Sequence, residues 1–154
     1  MPRLPSKYFG ELEYSPEAAF QFAAGIPGFD DQTAFVFLEQ PKNNPLVFMQ
    51  SLAQPDLCFI AVPVFVADSR YKLRLSPEDR QLLELSFPRD PQIGADLLCL
   101  ALVTVSEGAD PTVNLASPIV LNLKNRRGVQ SIQEGSEYSM QHPLSSPPEK
   151  SPCS

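Results

Sequence analysis

An all-β, mainly antiparallel fold with one short helix, a small β-barrel-like domain or else a strongly bent sandwich, is what this sequence predicts, on three observations. Short apolar runs with period-two alternation recur along the chain, as strands with one buried face require. Seventeen prolines in 154 residues, about twice the roughly 5% average usage, work against long helices and favour short strands joined by turns. Strands alternating with long helical patterns, the mark of an α/β chain, are missing.

From the N-terminus, Tyr8 to Tyr14 reads as the first strand, with Glu11 and Glu13 on one face and Leu12 and Tyr14 on the other. Ser15-Pro16-Glu17 breaks it, and Phe20 and Phe22 alternate in a second short run. Gly25-Ile26-Pro27-Gly28-Phe29 follows. Two glycines around Ile-Pro make a tight, ordered turn with Phe29 as its plug. It has neither the length nor the Lys-Ser/Thr of a phosphate-binding loop. Thr33 to Leu38 alternates cleanly, Glu39 to Pro45 is a polar turn, and Leu46 to Leu52 is the next strand, closing on the polar pair Gln50-Ser51.

Leu57 to Val66 is a longer apolar run in which β-branched content and Pro63 decide for strand over helix. Pro63 then marks an edge or bulge within it. The one helix begins at Ser76 as N-cap, with Pro77 at the first helical position and Glu78 and Asp79 in the first turn; it reaches about three turns at most. Leu97 to Val105 resumes strong alternation as a central strand. Thr112 to Leu123 reads as a strand, an interruption at Pro118 and a second apolar run, followed by the basic turn Lys124 to Gly128 and a continuation over Val129 to Ile132. Ser and Pro dominate from Ser139 onward. Residues 1–144 are expected to form a single domain and residues 145–154 a disordered Pro/Ser-rich tail.

Charge and chemistry narrow the function. The net charge of -6 opposes a nucleic-acid footprint and suits a basic protein partner. Met1 to Gly10 lacks the apolar segment of a signal peptide, and no run is long enough to span a membrane, so the expected location is the cytoplasm. Cys58, Cys99 and Cys153 have no metal spacing, and no metal or cofactor is expected. The single histidine, His142, falls in the Ser/Pro-rich end next to Pro143, where it cannot align a nucleophile. Asn114, Asn122, Asn125 and Gln130 are amides, which hold hydrogen bonds but carry no protons in catalysis; Asn114, Asn122 and Gln130 read as buried struts where Pro118 interrupts a ladder. A binding protein, not an enzyme, is therefore expected.

The blocks Lys7-Tyr8-Phe9-Gly10, Phe22…Gly25-Ile26-Pro27-Gly28-Phe29, Gln50-Ser51-Leu52, Pro55-Asp56-Leu57-Cys58-Phe59 leading to Pro63, Tyr71, Thr112 to Asn122 with Gln130, and His142-Pro143-Leu144 occur in one order along one chain. In that arrangement the sequence resembles the flagellar assembly factor FliW family over approximately residues 7–144. Departures are Ser69-Arg70 before Tyr71 and the extension after Leu144. The resemblance implies a monomeric, non-enzymatic, chaperone-like regulator of flagellum biogenesis. Such a protein binds flagellin and alternatively sequesters the RNA-binding translational repressor CsrA, coupling flagellin synthesis to export. The partner-binding residues it points to are Ile26, Phe29, Gln50, Ser51, Tyr71 and Asn114. Rivals of a different class are a small-molecule-binding β-barrel, which needs an apolar cavity with a few convergent polar groups, and a hydrolase using scattered carboxylates.

Overall fold

Period-two alternation places one face of each strand on a common core, and here that face curls until its two edges meet. The computed structural model describes residues 3–6, 10–13, 16–39, 42, 44–85, 93–94, 96–105, 108–133 and 135–144, with backbone alone for 3–6, 10–13 and 16. Strands β1 (Arg3–Ser6) and β2 (Gly10–Glu13) form an antiparallel pair of their own. A 3-10 turn at Pro16–Ala18 leads to β3 (Phe20–Gln21), β4 (Ala34–Glu39), β5 (Val47–Ser51) and β6 (Cys58–Pro63). Two short helices, α1 (Val64–Ala67) and α2 (Pro77–Leu82), precede β7 (Leu97–Thr104), β8 (Thr112–Asn122), β9 (Arg127–Gln130) and β10 (His142–Pro143).

The sheet order is β10-β8-β7-β6-β5-β4-β3-β9, and β9 also pairs with β8, which closes seven strands into a barrel and leaves β10 outside on β8. Neighbouring barrel strands run antiparallel except at the seam, where β3 and β9 are parallel with Gln21 opposite Arg127. The expected all-β, mainly antiparallel fold is what the chain forms, and of barrel and bent sandwich it is the barrel.

Two apolar cores result. Inside the barrel, Phe20, Phe22, Phe35, Val47, Met49, Ala61, Leu100, Ile119 and Leu121 pack together. Gly128 is placed for this interior: a side chain there would run into the Phe22 ring. Outside, Val62, Leu97, Cys99, Ala101, Val113, Leu115, Val120 and Val129 form a second apolar face. The connection from α1 through α2 covers it, contributing Val64, Tyr71 and Leu83. Ser76 caps α2, its Oγ accepting the Asp79 N–H at 3.0 Å, which satisfies one of the free donors of the first turn.

Several details differ from the sequence reading. The run Leu57 to Val66 is not one strand: β6 ends at Pro63 and the chain turns into α1, a second short helix. Proline fixes φ and has no N–H for the ladder, so it serves as the boundary instead of a bulge. Thr112 to Asn122 is continuous through Pro118. Its register with β7 slips instead, so that Leu100 faces Ile119 while Leu102 faces Asn114. The extra residues, Leu115 to Pro118, bond elsewhere: Leu115 N–H to the Ser139 carbonyl, and the Ala116 and Pro118 carbonyls to the N–H groups of Gln133 and Ser131. Within the Ser/Pro-rich end, His142 is not left unplaced: it lies opposite Val113 in β10, and the Leu144 N–H bonds to the Pro111 carbonyl. Tyr8, Phe9, Tyr14, Cys153 and the tail 145–154 lie outside the described residues.

Candidate functional site

The Gly25–Phe29 turn is set by its backbone. Pro27 and Gly28, the latter at φ +87°, occupy the central positions of a turn closed by the Phe29 N–H on the Ile26 carbonyl at 2.6 Å. Proline followed by a positive-φ glycine is the type II pattern. Gly25, at φ +70°, lies so close to the Asp30 backbone that no side chain fits. The turn sends its two apolar residues opposite ways. Ile26 is buried in the barrel core, while Phe29 stays 37% exposed, edge-on to Phe59 at 5.5 Å. Phe59 leans on Phe35, and Phe35 meets Phe22, so Phe29 is the outer end of a chain of rings anchored in the interior.

A polar network braces the same end of the barrel. The Phe29 carbonyl accepts the Gln32 N–H, and the Gln32 side chain takes the Ser51 hydroxyl at 2.5 Å and donates to Gln54 at 3.2 Å. Ser51 Oγ also accepts the N–H groups of Ala53 and Gln54. Gln50 Nε2 lies within bonding distance of the carbonyls of Ser51, Pro55 and Leu57. Gln50 and Ser51 are fully buried. Their polar atoms are engaged in shaping the 52–57 loop, so in this conformation they position the surface around Phe29 without forming it.

Tyr71 and Asn114 sit together elsewhere, on the outer layer. The buried Tyr71 donates its hydroxyl to the Leu115 carbonyl at 2.6 Å and stacks on Tyr138 at 4.2 Å. Burial, followed by the negative charge that nearby Cys99, Tyr138 and Asp68 can carry, pushes the phenol of Tyr71 well above its ordinary value. Half-buried Asn114 accepts the N–H groups of Ala116 and Ser117 at 3.1 and 3.0 Å, which holds the displaced part of β8 in shape. Asn122 is buried and donates to the Leu83 carbonyl, and half-buried Gln130 donates to that of Ser117. The six sequence-predicted site residues thus fall into two groups. Ile26, Phe29, Gln50 and Ser51 share one end of the barrel, and Tyr71 with Asn114 shares the outer layer.

Sequence reasoning missed a third feature. At the barrel end formed by the Glu39–Val47 pairing, opposite the Phe29 turn, an apolar cleft of about 590 Å³ enters between Phe20, Phe37, Leu100 and Leu121. Exposed Glu39 and Arg126 stand on its lining. The Arg126 guanidinium lies 5.0 Å from the centre of the Phe20 ring, a cation–π placement. Alternation shows that these residues face inward; it carries no signal that space remains between them.

The two described thiols are held in their neutral form. Burial pushes the Cys58 thiol up to about 11 and that of Cys99 to about 12, so neither supplies thiolate near neutral pH. Among the described residues no group of three or more His, Cys, Asp or Glu side chains could hold a metal ion. No helix among them is long and apolar enough to cross a membrane.

Comparison with known proteins follows the same lines as the geometry. A family model described as FliW protein matches residues 3–144. A flagellar assembly factor FliW of Desulfitobacterium hafniense (strain DSM 10664 / DCB-2) is 40% identical over 143 residues, covering 92% of this chain and 90% of that protein. The flagellar assembly factor FliW of Bacillus subtilis (strain 168) is 30% identical over 140 residues, 90% of this chain and 94% of the other. Among solved structures, a crystal structure of the flagellar assembly factor FliW superposes with a TM-score of 0.81 at 29% identity, covering 96% of this chain and 99% of that one.

Proposed function

This chain belongs to the FliW family of flagellar assembly factors, and on that premise we propose that it is a monomeric, non-enzymatic regulator of the cytoplasm that binds flagellin and alternatively sequesters a CsrA-type translational repressor. The observation that carries the reading is the family match over residues 3–144, almost the whole chain. Two physical features support it. Phe29 offers an exposed apolar ring on a rigid base, the kind of contact that sets residence time. The net charge of -6 speeds encounter with a basic RNA-binding protein.

Competition between the two partners then follows as linkage: occupation by one lowers affinity for the other by their coupling free energy, reciprocally. The test is a titration of flagellin into the preformed complex with the repressor. Release of the repressor in proportion to bound flagellin is the expected result; a repressor that stays bound throughout overturns the competition.

The apolar cleft beside Glu39 and Arg126 favours a second reading, a barrel that takes a small apolar ligand. The barrel centre is filled, with Phe22, Phe35, Met49 and Ile119 fully buried, so any such ligand is confined to that mouth. Leu100→Trp would fill the mouth; unchanged binding of an apolar fluorophore by that variant rules the ligand out of it.

A further inference from the structure

Among the described residues, nothing pairs with one edge of the seam strand β9 beyond its start. Its continuation bonds to β8 through the N–H groups of Ser131 and Gln133, which reach the carbonyls of Pro118 and Ala116 at 2.8 Å each. Backbone groups alternate sides along a strand. The N–H and C=O of Gln130 and Ile132 therefore point away from β8. On that side β3 covers only the start of β9, where Gln21 meets Arg127. No hydrogen bond from a described residue reaches the outward groups of Gln130 or Ile132.

The devices that normally blunt an edge are missing as well. The two residues whose backbones face outward are uncharged, neither is proline, and Ile132 is 58% exposed. Alongside lies a slot of about 440 Å³, walled on its other side by the segment from Arg74 to Asp79. That wall is fixed. The Gln133 side-chain amide accepts the Arg74 backbone N–H and donates to the Arg74 carbonyl, both at 2.8 Å, and the Ser131 hydroxyl donates to Asp79 at 2.6 Å. The slot carries Glu78 and Asp79 against Arg74, a balance of one negative charge on a chain already at -6.

We propose that the outward edge Gln130–Ile132 and its slot form a strand-addition site for an extended, positively charged segment of a partner protein. Paired backbone donors and acceptors demand a polypeptide strand and not a compact ligand, and the acidic wall favours basic side chains on it. The proposal rests on reading the chain as a protein-binding factor, and it places one contact away from the Phe29 turn.

The probe is a short acetylated and amidated peptide of alternating valine and lysine, added to the ¹⁵N-labelled full chain. Exchange of the Gln130 and Ile132 amide protons is expected to slow by about tenfold or more, while neighbouring loop amides keep their rates. Ile132→Pro deletes an outward N–H and leaves both bonds to β8 in place, so it is expected to weaken the peptide about tenfold, whereas Ile132→Ala stays within about threefold. A glutamate-for-lysine peptide is expected to bind about tenfold more weakly. The proposal is overturned if the two amides show no added protection in the wild-type chain, or if Ile132→Ala weakens binding as much as Ile132→Pro. It is equally overturned if those amides are already protected without peptide in a concentration-dependent way, which would make a second copy the occupant. Neither flagellin nor the repressor is used, so this outcome and that of the competition titration are read separately.

Discussion

The two cores of this molecule are held by different physics. The barrel interior is built from rings and aliphatic chains: Phe20, Phe22, Phe35, Met49, Ile119 and Leu121 meet with no ionisable side chain among them. The outer layer is also apolar at its base, but hydrogen bonds made by polar side chains, most of them to backbone, cross it at several points. Tyr71 reaches the Leu115 carbonyl, Asn122 and Asn125 the Leu83 carbonyl, Ser131 the Asp79 carboxylate, and Gln133 the Arg74 backbone. The reason lies in the covering segment. Among the described residues between α1 and β7 only α2 is regular, so the other backbone groups there are not satisfied by a ladder and must find side-chain partners. A closed sheet satisfies itself and needs only shape; an irregular cover needs directional bonds.

The sharpest way to break this contrast is Phe22→Ala, which removes a fully buried ring from the interior. A loss of about 3–5 kcal/mol is expected in chemical denaturation, with the whole barrel unfolding as one transition. A small loss would mean that the interior is not packed by shape as described. Next comes Asn114→Ala, which orphans the N–H groups of Ala116 and Ser117. About 1–3 kcal/mol of stability should disappear; unchanged stability together with lost partner binding would move Asn114 from the frame to the contact surface.

Tyr71→Phe keeps the ring and its stacking on Tyr138 but leaves the Leu115 carbonyl without its donor. A cost of about 1–2 kcal/mol is expected, and hydrogen exchange should quicken in the outer layer while the interior strands keep their protection. Equal loosening of both layers would erase the distinction. The smallest effect, absent at neutral pH, is the alkaline one. Cys99 and Tyr71 both belong to the outer layer and both prefer their neutral forms when folded. The unfolded thiol sheds its proton from about its ordinary 9.0, while the folded one holds it to about 12. The contribution of the neutral thiol to stability is therefore full below pH 9 and is lost as pH rises through about 12. Melting curves of Cys99→Ala should show a shallower alkaline decline than wild type.

Much of the barrel was legible in the chain because alternation is a local signal. Ala34–Glu39, Val47–Ser51 and Leu97–Thr104 form where the pattern places them, and Ser76-Pro77 starts a helix as its residue types require. Where the sheet closes was not legible. The Gln21–Arg127 pairing joins distant parts of the chain through backbone groups that every residue possesses, so no side-chain type announces it. Pro118 misled for a related reason: opposite Ser131 it still offers its carbonyl to the Ser131 N–H, so the ladder loses one donor there while the strand runs on. At the candidate site, the glycine pattern of the Phe29 turn was readable because positive φ leaves a mark on residue type. The burial of Gln50 and Ser51 was not, since a polar pair at a strand end reads the same whether water or a loop covers it.

The parallel seam bears on how the chain is made. Until β9 has left the ribosome, β3 has no parallel neighbour and β8 lacks its closing partner. Every earlier length of nascent chain can hold at most an open sheet with two bare edges and the Phe22 ring unmatched by Gly128. Contacts this distant in sequence form late and leave sticky intermediates. Translation that stalls just short of Arg127 would thus release a chain primed for edge-to-edge aggregation, whereas a few more codons close the seam and, among the described residues, leave only the short Gln130–Ile132 stretch of that edge unpaired.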